Sequence, residues 1–319
     1  MRDRYFQIID ANMCRVSEGL RVIEDYTRFI SNNIEYTHNL AYFRKQLHSN
    51  ENDSVSELVK RNNKLDVRAK EIPKKREDII DLLKANFKRI EEGLRVLEEF
   101  TGNSKYNAMR YDIYELEKEI ILSTMKKKLA PGVYLISDDI KILEQGLLWN
   151  VSAIQLRDKH SSKHQILQKA LRIQKKAKKA GIPLIINDYI DIAITCNADG
   201  FHSGQDDLAI QHLRNILGPH KIIGRSTQTL KEGIDAQKQG ADYIGIGPIW
   251  KTASKEERNP IGLSYLKKAG EHITIPYVAI GDITLAHMAE ISDFKPQVVA
   301  LIRAYKEIPQ ILKKYYSSG

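Results

Sequence analysis

Basic and amide side chains follow a short β-branched run near the middle of the chain. The run Ala153–Arg157 continues into Asp158 and Lys159, so Gln155, Arg157 and Lys159 are spaced two residues apart. In an extended strand this spacing places alternate side chains on the same face. Arg157 and Lys159 would then supply two fixed positive charges beside an amide, a combination that suits phosphate binding.

Carboxylates follow the next two runs of the same kind. Asn187 and Asp188 end the run that begins at Pro183, and Asp207 follows the run around Phe201. Carboxylate oxygens beside an arginine and a lysine indicate Mg²⁺ held against a diphosphate. Lone carboxylates at strand ends also cap helices, and that structural role is the alternative.

Glycines and hydroxyl residues follow the later runs. Ser226 follows the fifth run, Gly281 follows the seventh, and the loop after the sixth carries Thr252, Ser254 and Lys255. Glycine lets a phosphate group approach the backbone, while hydroxyls and a lysine contact its oxygens. The segments that follow the fifth to seventh runs are therefore predicted to bind phosphate as well.

Eight strand-like runs alternate with helical stretches after residue 131. The predicted strands are Val133–Ser137, Ala153–Arg157, Pro183–Asn187, Gly200–His202, Ile222–Gly224, Tyr243–Gly247, Tyr277–Ile280 and Val298–Ile302. This rhythm predicts an α/β fold, a compact (β/α)8 TIM barrel, whose functional residues lie at the carboxyl ends of the strands. An open doubly wound sheet is the alternative, but no GxGxxG fingerprint follows the first strand.

The first 125 residues have helical periodicity and contain an internal repeat. Asp10–Phe29 matches Lys84–Gly102 at an offset of 74 residues. Gly19 and Gly93 lie inside these helices, where glycine costs about 1 kcal/mol relative to alanine, so another group is expected to approach closely. Two helices could cross at the glycines of a pseudo-symmetric bundle, or a paired polar site could bind phosphate. The candidate residues of that paired site are Asn12, Arg15, Glu18, Asn86, Arg89 and Glu92.

A breaker pair, Pro131-Gly132, separates the two parts of the sequence. A further helix is predicted at about Ala108–Lys128, immediately before it. We therefore expect an all-α repeat domain over residues 1–128 and the barrel over residues 131–319.

Composition restricts the class of protein and its partners. Of the 319 residues, 42% are hydrophobic and 29% charged, as expected for a globular protein. The net charge of +9 comes largely from lysine runs typical of solvated surfaces, and no RNP-like or zinc-finger pattern accompanies it, so nucleic acid is not an expected partner. No run approaches the ~18 apolar residues of a membrane span, and no secretory signal is recognisable. Two distant cysteines, Cys14 and Cys196, indicate reduced thiols and a cytoplasmic location.

From residue 131 onward, the order of the motifs resembles the thiamine phosphate synthase family. The matching segments cover nearly all of residues 131–305 and include AIQLRDK, LIINDYIDIA, ADGFHSGQDDL, IIGRST, GADYIGIGPIWKTASK and YVAIGDI. The resemblance implies a transferase that joins 4-amino-2-methyl-5-hydroxymethylpyrimidine diphosphate to thiazole phosphate with Mg²⁺ as cofactor. It also implies a dissociative reaction, in which pyrophosphate leaves first and a pyrimidine methylene cation is formed. No nucleophilic residue or general base of the protein is then required.

The resemblance assigns roles to individual positions. Asp188 and Asp207 match the Mg²⁺ ligands. The implied catalytic residues are Arg157, Lys159, Ser226 and Lys255. The implied substrate-binding residues are Gln155, Asn187, Thr252, Ser254, Gly281 and Arg303.

Three positions depart from the family pattern. Asp282 stands where a second glycine is usual, and Arg303 stands where a serine is usual, both around the expected thiazole-phosphate site. An aspartate is unfavourable there unless it is neutralised, and Arg303 could pair with it or bind phosphate directly. The third is Gln228, in place of a histidine. The related thiazole tautomerase, the enzymatic alternative, needs a proton-transferring group that histidine would supply.

The N-terminal repeat resembles the helical domain found ahead of such synthases, with the signature ANxxRxxEGLRVxE. That resemblance implies phosphorylation of the pyrimidine monophosphate with ATP as a further small-molecule partner. The family segment near RDTxxDVG reads here as residues 61–68, without the first aspartate and the glycine, and no P-loop is present. A module for homo-oligomerisation or docking is the non-enzymatic alternative.

Overall fold

The computed structural model describes residues 5–48, 75–252 and 259–316. The chain divides into two compact units, Met1–Met125 and Lys126–Gly319. Each unit encloses its own hydrophobic core. Along the chain, the boundary falls between Met125 and Lys126, a few residues before the Pro131-Gly132 pair.

The first unit is helical throughout its described part. Its helices are α1 (Phe6–Phe29), α2 (Ile34–His48), α3 (Ile79–Thr101) and α4 (Ser104–Thr124). The prediction of a helix over 108–128 was displaced by four residues at each end. Asn103 accounts for the earlier start, because its side chain accepts a hydrogen bond from the backbone N–H of Lys105 and caps α4.

Helices α1 and α3 cross at the two repeated glycines. A Cβ atom on Gly19 would lie 2.8 Å from Cγ1 of Ile90, and one on Gly93 would lie 2.5 Å from Cγ2 of Val16. Val16 and Ile90 are equivalent positions of the repeat, so each glycine receives the same side chain from the opposite copy. The structure thus has the close, pseudo-symmetric crossing that the first of the two interpretations predicts.

The second unit is a closed barrel of eight parallel strands in sequential order. The strands are β1 (Gly132–Ser137), β2 (Ala153–Leu156), β3 (Leu184–Asn187), β4 (Gly200–Ser203), β5 (Ile222–Thr227), β6 (Tyr243–Ile246), β7 (Tyr277–Ala279) and β8 (Val298–Leu301). The predicted barrel and its eight strands are confirmed. The largest difference is in β5, which continues to Thr227, so Ser226 lies inside the strand rather than after it.

Helices surround this barrel. They are α5 (Ile140–Leu148), α6 (Lys163–Ala180), α7 (Ile190–Thr195), α8 (Ile210–Leu217), α9 (Leu230–Lys238), α10 (Ser264–His272), α11 (Met288–Ser292) and α12 (Ile308–Ile311). Alternate strand residues divide between two cores. Tyr134 and Ile136 of β1 belong to the cluster inside the barrel, while Val133 and Leu135 pack in the layer between strands and helices. Among the described residues, no helix is both long and apolar enough to cross a membrane.

Candidate active site at the carboxyl ends of the strands

A cavity with an empty volume of about 870 Å³, counting the space open to solvent, lies among the strand ends. Its wall consists of strand residues and of residues that directly follow strands, so the barrel fixes their positions. The side chains and glycines that line it are Tyr134, Ile136, Gln155, Arg157, Asn187, His202, Ser226, Tyr243, Gly245, Gly247, Pro248, Thr252, Val278, Ile280, Gly281, Asp282, Ile283, Ala300, Ile302 and Arg303.

The cavity brings together residues that the sequence singled out on six different strands or strand ends. These are Gln155, Arg157, Asn187, Ser226, Thr252, Gly281 and Arg303. They lie far apart in the sequence, so their convergence comes from the closed, sequential strand order. Two further predicted residues, Ser254 and Lys255, lie outside the described residues.

Lys159 lies outside the cavity wall that contains Gln155 and Arg157, and its catalytic role stays a prediction. Lys159 is exposed and does not line the cavity. Strand alternation stops early because β2 ends at Leu156. Asp158 then forms a turn, in which its Oδ1 accepts hydrogen bonds from the backbone N–H groups of two following residues, 3.0 Å and 2.9 Å away.

The two predicted metal ligands are exposed and lie in different surroundings. Asp188 directly follows β3 with a positive φ of 62°, and its backbone N–H donates to the carbonyl of His202 over 3.1 Å. Asp207 accepts a hydrogen bond from the backbone N–H of Gly204 over 2.6 Å and lines a separate groove that also contains Arg225. Within the described ranges, no three His, Cys, Asp or Glu residues are grouped as a metal site.

Arg157 presents an unused donor in the cavity wall. Its Nη2 atom is buried and has no hydrogen-bond partner among the residues that the structure describes. Burial lowers the pKa of the guanidinium, and the charges of Asp188 and Asp138 oppose that effect. Because an arginine stays protonated in proteins, a buried cation with a free N–H favours an anionic ligand at this position.

In another part of the cavity wall, Gly281 allows two backbone segments to approach. Its φ is +124°, and a Cβ atom there would lie 2.3 Å from the backbone nitrogen of Ile249. Asp282, the next residue, forms an ion pair with Arg303, in which Nη2 lies 2.5 Å from Oδ1. The aspartate that was unexpected in a phosphate site is therefore neutralised by the arginine that was equally unexpected.

Sequence reasoning missed three aromatic residues on the cavity wall. His202 contacts the hydroxyl of Tyr243 through Nδ1 at 2.8 Å and the hydroxyl of Ser226 through Nε2 at 2.9 Å. The hydroxyls of Tyr243 and Tyr134 are 3.1 Å apart, and Nε2 of Gln155 donates to that of Tyr134 over 2.7 Å. The histidine was visible in the motif GFHSGQDD, but nothing in the sequence gives its partners on other strands.

A stacked aromatic pair joins the loop after β6 to the loop after β7. The rings of Trp250 and His287 are 4.1 Å apart and nearly parallel, at 14°. Nδ1 of His287 lies 3.1 Å from the backbone carbonyl of Asp282. This pair fixes the residue that precedes Lys251 and Thr252 against the loop that carries Gly281.

In the helical unit, the candidate polar residues divide into two groups. The exposed ones are Arg15, Glu18, Arg89 and Glu92. Asn12 and Asn86 are buried, and each donates from Nδ2 to the carbonyl four residues earlier in its own helix, over 2.7 Å and 2.8 Å. Nη1 of Arg89 also donates to Oδ1 of Asn86 over 3.3 Å. The asparagines therefore stabilise the helices locally, while the arginines extend to the surface.

Comparison with known proteins identifies the barrel. Residues 133–305, more than half of the chain, match the family described as thiamine monophosphate synthase. The chain belongs to this family. Residues 7–119 match the ThiD2 family, which corresponds to the helical unit.

Relatives of the thiamine monophosphate synthase family match both units of the chain. A thiamine-phosphate synthase of Synechococcus sp. (strain WH7803) is 37% identical, over 94% of this chain and 91% of that protein. One from Synechocystis sp. is 33% identical over the same shares. The solved thiamine phosphate pyrophosphorylase from Pyrococcus furiosus is 27% identical with a TM-score of 0.53, over 58% of this chain and 97% of that one. The barrel is a thiamine-phosphate synthase, a transferase.

Proposed function

We propose that the cavity binds the pyrimidine diphosphate along β2–β5 and thiazole phosphate along the loops after β6–β8. The convergence of seven predicted contact residues on one cavity is the observation that carries this assignment. In the reaction, the bond between the pyrimidine methylene carbon and the diphosphate oxygen breaks, and its electron pair leaves with pyrophosphate. The thiazole nitrogen then forms a bond to the methylene cation with its own lone pair.

The diphosphate side needs donors that stabilise charge as it develops on the leaving group. The buried, unpartnered Nη2 of Arg157 supplies one such donor. The hydroxyl of Ser226 lies in the same wall. Gln155 and Asn187, both buried, supply the amide groups that orient the pyrimidine ring.

Two exposed carboxylates would hold a magnesium ion, Asp188 after β3 and Asp207 after β4. Burial lowers the pKa of Arg157 and the negative charge of Asp188 opposes that effect, so we assign this carboxylate to the diphosphate side of the site. Mg²⁺ typically takes one or two protein carboxylates, and phosphate oxygens and water complete its octahedron, so Asp188 and Asp207 would be sufficient protein ligands. When bound, the ion would neutralise charge on the leaving diphosphate.

The thiazole-phosphate side combines a close backbone approach with one cation. The loops after the seventh and eighth strands of barrels of this kind frequently bind phosphate, which is where Gly281 and Arg303 lie. Arg303 keeps further N–H donors beyond the one directed at Asp282. Thr252, which is largely buried, supplies a hydroxyl on the adjoining loop.

Turnover by the Asp188→Asn variant tests these assignments. Loss of the carboxylate should reduce thiamine phosphate formation sharply while the melting temperature stays unchanged. Asp191→Asn is the matched control. That carboxylate lies three residues after Asp188, is also exposed, and pairs with Lys163. Loss of fold in Asp188→Asn, or full activity, would contradict the proposed metal role.

For the helical unit, we propose phosphorylation of the pyrimidine monophosphate with ATP, which would supply the substrate of the barrel. The match to the ThiD2 family supports this proposal. The exposed Arg15 and Arg89, at equivalent positions of the repeat, are the proposed phosphate contacts. Cys14 and Cys196 form no disulfide in the described structure, which supports a cytoplasmic site of action.

An assay of the full chain separates this proposal from a docking or homo-oligomerisation module. ATP-dependent formation of the pyrimidine diphosphate, reduced by Arg89→Ala and not by Lys88→Ala, would support the kinase. No phosphorylation, together with a change of oligomeric state in Arg89→Ala, would favour the non-enzymatic module instead.

A further inference from the structure

Five side chains of the cavity wall form one continuous hydrogen-bond network. Every contact in it lies between 2.7 and 3.1 Å. The members, in order, are Gln155, Tyr134, Tyr243, His202 and Ser226. The two ends of this network are the proposed contacts to the pyrimidine and to the diphosphate, so the network connects the two halves of one substrate.

A glycine makes room for the central ring of this network inside the barrel. A Cβ atom on Gly224 would lie 2.1 Å from Cζ of Tyr243, so only glycine is compatible with this ring position. His202 stacks on Tyr243 with ring centroids 5.5 Å apart, and Tyr134 contacts the same ring edge-on at 5.9 Å. The central ring is therefore held from two sides, and its hydroxyl is directed by packing as well as by hydrogen bonds.

The protons in this network can be assigned from its first donor. Nε2 of Gln155 donates to Tyr134, so the hydroxyl proton of Tyr134 finds its acceptor at Tyr243. Tyr243 then donates to Nδ1 of His202, which must be the acceptor nitrogen of a neutral ring. The proton of that ring is consequently on Nε2 and is donated to Oγ of Ser226.

This order leaves the hydroxyl proton of Ser226 available to the cavity. Burial raises the pKa of both Tyr134 and Tyr243, so both phenols keep the protons that the order requires. In the opposite order, Ser226 would donate to His202 and could only accept from a ligand. An anionic diphosphate needs donors, so only the first order suits it.

We propose that Tyr134, Tyr243 and His202 are positioning residues, which hold Ser226 as a hydrogen-bond donor to the leaving diphosphate. The proposal rests on the proposed contacts of Gln155 and Ser226 with the pyrimidine diphosphate. It makes the pyrimidine end and the diphosphate end of the site interdependent, because reorienting Gln155 would reverse every donor in the network.

Tyr243→Phe breaks the network in its middle while keeping the ring. We expect kcat to fall about tenfold, with KM for thiazole phosphate unchanged, because Ser226 loses its fixed orientation. In a Ser226→Ala background the same substitution should have little further effect. Tyr277→Phe is the control, because that hydroxyl bonds the carbonyl of Phe294 outside the cavity. An equal loss from Tyr243→Phe with and without Ser226 would overturn the proposal.

Nitrogen NMR of histidine-labelled full-length protein gives a second test that does not depend on turnover. The resonances of His202, assigned by their absence in His202→Asn, should be those of a neutral ring protonated on Nε2. This preference should be lost in Tyr243→Phe and in Tyr134→Phe. A His202 ring protonated on Nδ1 in the wild-type protein would overturn the proposed order of donors in the network, even if the synthase is active. Conversely, the expected tautomer in an inactive wild-type protein would place the failure in the proposed function.

Discussion

Nη2 of Arg303 lies 2.5 Å from Oδ1 of Asp282, in the wall of the cavity that Arg157 also lines. Both residues are among the three that depart from the pattern of the thiamine phosphate synthase family. The ion pair replaces a glycine and a serine, two neutral residues, by two charges that cancel. Both side chains are partly exposed, so the pair itself contributes little to stability. The ion pair matters for binding instead, because it determines the net charge that an incoming phosphate group meets at this site.

Arg303→Ala should weaken the binding of thiazole phosphate specifically. The substitution removes a donor and leaves the carboxylate of Asp282 unneutralised in the phosphate site. We expect KM for thiazole phosphate to rise about tenfold, which corresponds to ~1.4 kcal/mol, with KM for the pyrimidine diphosphate unchanged. The double variant Asp282→Gly with Arg303→Ser, which restores the usual family residues, should recover most of the loss. An unchanged KM in Arg303→Ala would contradict this account.

Gly281→Ala should destabilise the barrel. A methyl group there would lie 2.3 Å from the backbone nitrogen of Ile249, in addition to the strain of a φ of +124°. Strain of that kind typically costs about 1–3 kcal/mol. Gly181→Ala is the control, because Gly181 has a φ of +74° but nothing within 4 Å of its Cβ position. Tryptophan fluorescence in urea follows the barrel selectively, since both tryptophans, Trp149 and Trp250, belong to it. Equal midpoints for the two variants would contradict the clash.

The turn at Asp158 should make barrel stability depend on acid pH. Burial alone would raise the pKa of Asp158, but hydrogen bonds from Lys169 and from two backbone N–H groups outweigh it and lower the pKa. A lowered folded-state pKa adds stability that is present above the ordinary value of about 3.9 and is lost as the pH falls toward the folded-state value.

Asp158→Asn is therefore expected to lower the free energy of unfolding by about 1–3 kcal/mol at pH 7. The difference from wild type should shrink below pH 4. Asp206→Asn, at an exposed carboxylate in the same unit, serves as the control. A difference that stays constant down to pH 3 would mean that charge is not the cause.

In the helical unit, Glu91 should produce the opposite pH dependence. Burial, followed by the hydrogen bond and the charge of Glu117, raises the pKa of Glu91 to about 7. The folded state then binds a proton that the unfolded chain releases above its ordinary pKa of about 4.3, so stability decreases as the pH rises from 5 to 8. Glu91→Gln should stabilise α3 and α4 at pH 8 and remove this dependence.

Hydrogen exchange of peptides from residues 79–124 measures the effect of Glu91→Gln without interference from the barrel. Glu115→Gln, at an exposed position of α4 that pairs with Lys118, should leave exchange unchanged. Faster exchange in Glu91→Gln at pH 8 would show that the charged form of Glu91 is the stabilising one.

The sequence was sufficient for the fold and for seven of the residues that line the cavity, because both depend on local patterns. Apolar runs of strand length alternate with helices, and polar residues such as Arg157 and Asn187 follow the runs directly. Lys159 lies outside the cavity wall because β2 ends at Leu156 and Asp158 forms a turn where alternation predicts a strand.

The network through Tyr243 and His202 could not be predicted for a different reason. Its contacts join β1, β2, β4, β5 and β6, and they depend on which layer of the barrel each ring occupies. In the helical unit, the repeated glycines predicted a close crossing, but the identity of the opposing residues, Ile90 and Val16, required the three-dimensional structure.

Pyrophosphate release by the full chain is the decisive measurement of synthase activity. With the pyrimidine diphosphate, thiazole phosphate and Mg²⁺ together, we predict one pyrophosphate for each thiamine phosphate formed. Omission of thiazole phosphate should stop the formation of thiamine phosphate. Chelation of Mg²⁺ should stop both thiamine phosphate formation and pyrophosphate release until the ion is restored. Failure of the wild-type protein to release pyrophosphate with both substrates and Mg²⁺ present would contradict the account.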